Sequence, residues 1–410
     1  MATPPDTAQP AAPAPAEPPA GPIVHPVYDG RGNEVFSLAW RNAALTLVTL
    51  GIYRFWAKTR LRQYFWGHVS VHGERIEYTG RGMELFLGFL VVLGFGLVTI
   101  LPYQFLLNYV AGVNLPLYIV LVLIFYVVLI YLYWAAVFFA RRYRFSRSQW
   151  RGIRAAQTGS AWEFGFLGMG CTLLNVITIG LTVPVTSIWV NRALMNRTMF
   201  GPHTFGFEGR AGPLYGPWMA TWGVGFGGYL LVVGIMVALG ASGLLKGGRS
   251  TVIVAVIILY TLWIGGIYVM YAWYRVVQFR RFAEWTRYET LTFASALPAR
   301  RVIGMISLYL LIVVVLLAIL GGIAAAAGFS IQSLAGDPRA TTIAVAIVMV
   351  IYLPVASVAR YLIVIHGVAG PLCNTLSIIG TMDYDALKQS AEAMPKRGEG
   401  LAEMLDVGGI

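Results

Sequence analysis

Acidic side chains are scarce in this chain, and where they are missing matters more than their number. Only 18 of 410 residues are Asp or Glu, and none falls within the six longest apolar stretches. Energised transporters and proton pumps place acidic residues or histidines along their path, so this absence argues against proton-coupled transport. The two cysteines, Cys171 and Cys373, are too few and too far apart in sequence for a disulfide framework or a metal site. Histidines 25, 68, 72, 203 and 366 have no ligand spacing with them. There is no Walker loop, nucleophile elbow or HExxH helix. The expectation is a protein that is not an enzyme and carries no cofactor or metal. Charge of either sign is low, 12% of residues, about half of what a soluble domain carries. A signal peptide is missing too: residues 1–26 are Pro/Ala-rich without a basic or apolar region. They read as a disordered tail.

What is present is apolar surface. Hydrophobic residues make up 58% of the chain. Six runs, 85–107, 115–139, 218–244, 251–277, 302–326 and 341–365, are each long enough to cross a ~30 Å hydrocarbon core. They group into three hairpins with short loops. The fold class expected is an all-α polytopic membrane protein. A β-barrel would show short alternating segments instead.

Two further apolar stretches, 38–57 and 164–190, carry Thr-x-Gly breaks at Thr49 to Gly51 and Thr178 to Gly180. If both cross, giving eight transmembrane helices, the 30 Lys and Arg divide evenly between the two sides. If both turn back, all but Lys246, Arg249 and Arg339 share one side. Such asymmetry marks a defined orientation, with the basic side cytoplasmic. The reading is therefore six transmembrane helices plus two re-entrant or interfacial helical hairpins, both termini cytoplasmic. Non-helical backbone at membrane depth needs cover, so both hairpins are expected inside the bundle. Glycine tolerates positive φ, and Pro184 lacks an N–H donor. Thr49, Gly51, Thr178, Gly180 and Pro184 are thus candidate pathway or hinge residues. The alternative is a plain structural turn.

Helices repeatedly leave the apolar runs through an aromatic residue followed by arginine. Arg60, Arg62, Arg141, Arg142, Arg192, Arg280, Arg281 and Arg360 form the candidate anion or lipid-headgroup set. Arginine forks bind phosphate, but a belt facing anionic lipid is the plainer expectation. The net charge of +12 follows from that belt and does not call for nucleic acid. After several exits come short segments of β character: His68 to Tyr78, His203 to Phe207 and Tyr288 to Phe293. Small cytoplasmic β-hairpin elements are expected there, pairing into a sheet. Gly223 and Gly227, spaced for close helix packing, are expected in a helix contact. The chain divides into the tail 1–26, a membrane domain 27–384 with internal repeats 27–160 and 161–384, and a cytoplasmic tail 385–410.

Tyr28 to Glu34, Thr49 to Tyr53, Phe55 to Tyr64, Gly73 to Gly80, and the closing Gly398 to Glu403 with Leu405 to Gly408 together resemble the YjgN-like family of bacterial inner-membrane proteins of unknown function. The resemblance implies a bacterial inner-membrane location and transfers no catalytic residue. The functional expectation is a passive or facilitative pathway, channel-like or handling lipids or anions. The alternative is a non-transport scaffold or partner-binding protein. Membrane lipids are the expected partners, with a cytoplasmic protein as a second partner through the C-terminal tail.

Overall fold

The computed structural model describes residues 21–242, 250–326, 338–384 and 387–389. Five helical hairpins follow one another along these residues. They are α1 (Gly32–Val48) with α2 (Arg54–Gly67), α3 (Gly82–Val113) with α4 (Leu115–Arg147), and α5 (Ala161–Ile177) with α6 (Val183–Met195). Next come α7 (Gly212–Ala241) with α8 (Ser250–Glu284). The fifth pairs α9 (Ala299–Ala326) with α10, which runs from Pro338–Ala359 through a π segment, Arg360–His366, into Gly367–Thr375. Each helix packs on its neighbours in sequence, and α10 packs on α1. The described helices therefore close into a ring, in which α2 also packs on α4 and α10, and α6 on α4 and α8.

The strands repeat this closure at one end. One sheet runs through β2 (Val27–Tyr28), β3 (Val69–Val71), β4 (Glu74–Tyr78), β5 (Ser148–Trp150), β6 (Ile153–Gln157), β7 (Thr198–Phe200) and β8 (His203–Thr204). The other runs through β9 (Gly206–Phe207), β10 (Thr286–Tyr288), β11 (Leu291–Ser295), β12 (Leu376–Ile379) and β1 (Ile23–Val24). Every pair is antiparallel. β8 and β9 are the two halves of one extended run, 203–207, and β1 and β2 belong to another, 23–28. The two sheets thus join into one closed ring. Strands this short are marginal alone, and closure leaves no open edge to pair with other chains. Two hairpin turns use consecutive positive φ, His72 with Gly73 and Arg151 with Gly152, the geometry that matches strand twist. The tail read over 1–26 gives way at Ile23, which pairs with Ile379.

Length separates the hairpins into two kinds. Among the described residues, five stretches are long and apolar enough to cross a membrane: Gly82–Val113, Leu115–Arg147, Gly212–Ala241, Ala299–Ile323 and Val348–Thr375. The helices of the first and third hairpins have only 17, 14, 17 and 13 residues. At 1.5 Å per residue that is roughly 20 to 26 Å, short of a ~30 Å core.

The two short hairpins do not lie inside the bundle as expected. They are part of the wall, and their tips are exposed, Leu50 at 93% and Ile177 at 78%. The reason is that the tips satisfy themselves. In the first, Leu50 N–H bonds the Leu47 carbonyl and Gly51 N–H bonds Thr46. In the second, Ile179 bonds Val176 and Gly180 bonds Asn175 in the same way. This is the Schellman pattern of paired 5→2 and 6→1 bonds. Thr49 Oγ1 also accepts from Tyr53 N at 2.9 Å. In the second tip, Trp222 Nε1 donates to the Ile179 carbonyl at 2.7 Å and Trp218 Nε1 to Gly180 at 2.9 Å. With its polar groups paired, an irregular turn needs no protein cover.

The helix packing expected of Gly223 and Gly227 is displaced by one residue. Both sit in a π segment, Gly223–Gly227, with open space around them. The close approach is at Gly228, where an added Cβ would lie 2.4 Å from Trp263.

Candidate functional site

The third hairpin carries a polar seam in otherwise apolar helices. Thr178 ends α5, Thr182 precedes α6 and Thr186 lies in its first turn, so the tip itself brings the three together. Asn175 gathers them: its Oδ1 accepts from Thr182 at 2.9 Å and from Thr186 at 3.1 Å. Thr178 and Thr182 hydroxyls lie 2.8 Å apart. The seam faces a cavity of about 340 Å³ between α4, α5, α6 and α8. Asn175, Thr186, Ser187, Asn191, Arg275 and Gln278 supply its polar lining, and Trp134, Val190, Phe279 and Phe282 part of its apolar lining. Arg275 donates to Gln278 Oε1 at 2.7 Å. Asn191 Nδ2 is buried without a hydrogen-bond partner, a costly state for an amide. Among the described residues, no Asp or Glu lines the cavity. Its cation is Arg275, and its unpaired donor is the Asn191 amide.

A second cavity, about 560 Å³, lies where the first and fifth hairpins meet. It is apolar: Phe65 and Trp66 of α2, Val302 and Ile306 of α9, and Val364 to Cys373 of α10 form its walls. At its rim Tyr28 Oη and His366 Nδ1 are 2.9 Å apart. Burial holds the Tyr28 phenol well above its ordinary range, aided by neighbouring Tyr64. The two Thr-x-Gly breaks thus share a turn geometry but not a chemical setting.

Among the described residues, no cluster of His, Cys, Asp or Glu has the makings of a metal site. Residues 25–404 match the family described as bacterial protein of unknown function (DUF898). The chain belongs to that family. Among its relatives is the inner membrane protein YjgN of Escherichia coli O157:H7, 35% identical over 69 residues, 17% of each chain. The Salmonella typhimurium protein of the same name is 33% identical over 66 residues, 16% of this chain and 17% of the relative. The matches span about a sixth of these relatives' length. No solved structure matches.

Of the eight arginines expected to gather anions, Arg62 and Arg141 reach strands of the ring, and Arg192 and Arg280 reach carbonyls just beyond strands. Arg62 is fully buried and donates to Tyr78 Oη at 3.1 Å. Arg141 reaches Thr198 Oγ1 at 3.4 Å and lies over Phe145. Arg192 donates to the Gly209 carbonyl at 3.0 Å, and Arg280 Nε to Leu297 at 2.7 Å. Arg281 pairs with Glu284 at 2.9 Å. Arg142 is half-buried at the same end of α4. Arg60 and Arg360 are exposed, near Tyr53 and Tyr361. The hinge set divides as well. Thr49 and Gly51 cap α1, while Thr178, Gly180 and the buried Pro184 belong to the polar hairpin. Sequence reading passed over Asn175, Asn191 and Gln278. The i, i+4 threonine series was the available signal.

The turn geometry makes a direct prediction. Gly180 has φ +82° and Gly51 φ +91°. Alanine at either site meets no close backbone atom, so the cost is conformational, about 1–2 kcal/mol. Thermal unfolding in detergent should show both variants destabilised to a similar extent.

Proposed function

We propose that the protein is a passive or facilitative pathway of the bacterial inner membrane for anions or phosphate-bearing lipids. Six helices cross, the two short hairpins re-enter, and both termini are cytoplasmic. The observation that carries this reading is the cavity between α4, α5, α6 and α8, where Arg275 and the unpaired Asn191 amide sit among apolar walls. A polar, cationic hollow among apolar helices costs stability, and a role as a path repays it. The reading is non-enzymatic. The six-crossing arrangement is supported by the strand ring, which carries residues of every hairpin at one end.

Two measurements test it. Proteoliposomes holding the full chain should pass small anions or fluorescent phospholipid without an ion gradient, and a chain ending at Gln389 should do so equally. Single cysteines at Ser70, His203 and Thr290, all in the ring, should label from the cytoplasmic side only. Absence of flux for every solute and lipid would overturn the pathway. Recovery of a protein partner by the tail beyond Gln389 would then favour the scaffold reading. The closing motif, Gly398 to Gly408, lies outside the described residues.

A further inference from the structure

We infer that the cavity beside the third hairpin binds the phosphate of a lipid headgroup, entered sideways from the bilayer over the tip of α5 and α6. The inference rests on the same cavity as the pathway reading but requires binding only. The first argument is chemical. Arg275 and Asn191 offer a guanidinium and an amide N–H, with no carboxylate opposite among the described residues, while the Thr186 and Ser187 hydroxyls donate to Asn175 and Pro184. That set fits an oxyanion, and guanidinium to phosphate is the strong form of such a bond. Asn191 Nδ2 has no protein acceptor, and a phosphate oxygen supplies one.

The second argument is the shape of the wall. α5 and α6 have 17 and 13 residues, whereas flanking α4 has 33 and α7 spans 30. The ring of helices is therefore notched above the third hairpin. Val176, Ile177 and Ile179 at the notch floor are exposed and apolar. On the α4 side, Leu123, Ile124, Tyr126, Val127 and Val128 are all exposed. Residues this close in sequence point in several directions around a helix, so α4 presents apolar surface both inside and outside the notch. Exposed tracts of this kind in a membrane protein are covered by acyl chains. A free anion would have to pass this apolar rim, whereas a lipid brings its own apolar tail.

The third argument is depth. Arg275 lies nine residues before the ring end of α8 at Glu284, roughly 14 Å along the helix. A side chain there reaches the headgroup layer by extending along its stem. Beside the donors, Phe279 and Phe282 supply apolar wall for the first carbons of the chain.

The test uses the full chain in a neutral detergent. Thermal unfolding is followed with added phosphatidylglycerol, diacylglycerol of the same chains, or inorganic phosphate at matched ionic strength. Native mass spectrometry counts retained lipid. Phosphatidylglycerol should raise the midpoint and stay bound, while diacylglycerol and inorganic phosphate should not. Arg275→Gln should weaken phosphatidylglycerol binding about tenfold, the scale of one charge-assisted hydrogen bond. Asn191→Leu should weaken it too. Arg275→Lys, which keeps charge but loses the fork, should fall between and guards against misfolding of the Gln variant. An equal midpoint rise with inorganic phosphate would overturn the lipid source. Undiminished phosphatidylglycerol binding in folded Arg275→Gln and Asn191→Leu would overturn the site. Failure of flux with binding intact would overturn the pathway and leave this inference standing.

Discussion

Glu84→Gln should destabilise the protein by about 3 kcal/mol, whereas Glu163→Gln should cost well under 1. The two glutamates occupy the same place in successive hairpins, the first turn of the outgoing helix. Each faces a cation at the end of the returning helix. Glu84 meets Arg147 at 2.8 Å, with side chains only 25% and 12% exposed. It also accepts from Tyr143 Oη at 2.7 Å. The Glu163 pair with Arg197 is longer, 3.3 Å, and Glu163 is 69% exposed. Removing one charge from a buried pair leaves the other in low dielectric, costing about 3–5 kcal/mol. A solvated pair contributes about 0–1 kcal/mol. Glu84 also complements the N-terminal end of the α3 dipole. Thermal unfolding in detergent should separate the variants. Amide exchange should rise at Thr79, whose N–H bonds the Arg147 carbonyl at 2.8 Å. Equal effects from both substitutions would mean that burial does not set the strength of these clamps.

The same clamp reaches the first hairpin in weakened form, Glu34 with His68 at 3.7 Å. It marks a unit that the sequence shows imperfectly. The long helices were legible because their apolar runs exceed the length of a membrane span. The run 85–107 sits within α3 and 115–139 within α4. The hairpin at 68–78 was legible from alternation around His72-Gly73. That at 148–157 was not, because the charges of Arg147, Arg151 and Arg154 mask the alternation around the turn at Arg151-Gly152. β12, Leu376–Ile379, is apolar except at Ser377 and follows α10 directly. β1 is two residues at the end of a Pro/Ala-rich stretch. Ring closure depends on these two, since Ile23 pairs with Ile379 and Val24 with Ile378. A pairing between opposite ends of the chain leaves no local pattern.

The cavity was hidden for a related reason. Arg275 follows Trp273 closely in sequence, yet its meaning depends on Asn175 and Asn191 of another hairpin. The arginines that were legible, Arg62, Arg192 and Arg280, have their donors committed to Tyr78, Gly209 and Leu297. Spacing identifies where helices leave the apolar layer. It does not tell a guanidinium that fastens a strand from one that faces a hollow.

Gly168→Ala and Gly170→Ala should have opposite signs, although they lie two residues apart on α5. A Cβ at Gly168 would fall 2.2 Å from Trp134 Cγ and 2.3 Å from Cδ2, while at Gly170 it would meet nothing. Trp134 is not free to step aside. Its Nε1 donates to Thr172 Oγ1 at 2.8 Å, and its ring packs edge-on against Phe164. Overpacking of this kind costs about 1–3 kcal/mol, and losing the indole hydrogen bond adds about 1. At Gly170 the helix gains the lower backbone entropy of alanine, about 0.5–1 kcal/mol stabilising. Trp134 also lines the donor cavity, so displacing it reshapes the site. Phosphatidylglycerol retention should therefore fall in Gly168→Ala and hold in Gly170→Ala. Trp134→Phe in the Gly168→Ala background should recover part of the lost stability, because the smaller ring vacates the contested volume. A double-mutant cycle measures this coupling. If the two losses simply add, α5 is not held against α4 by this contact.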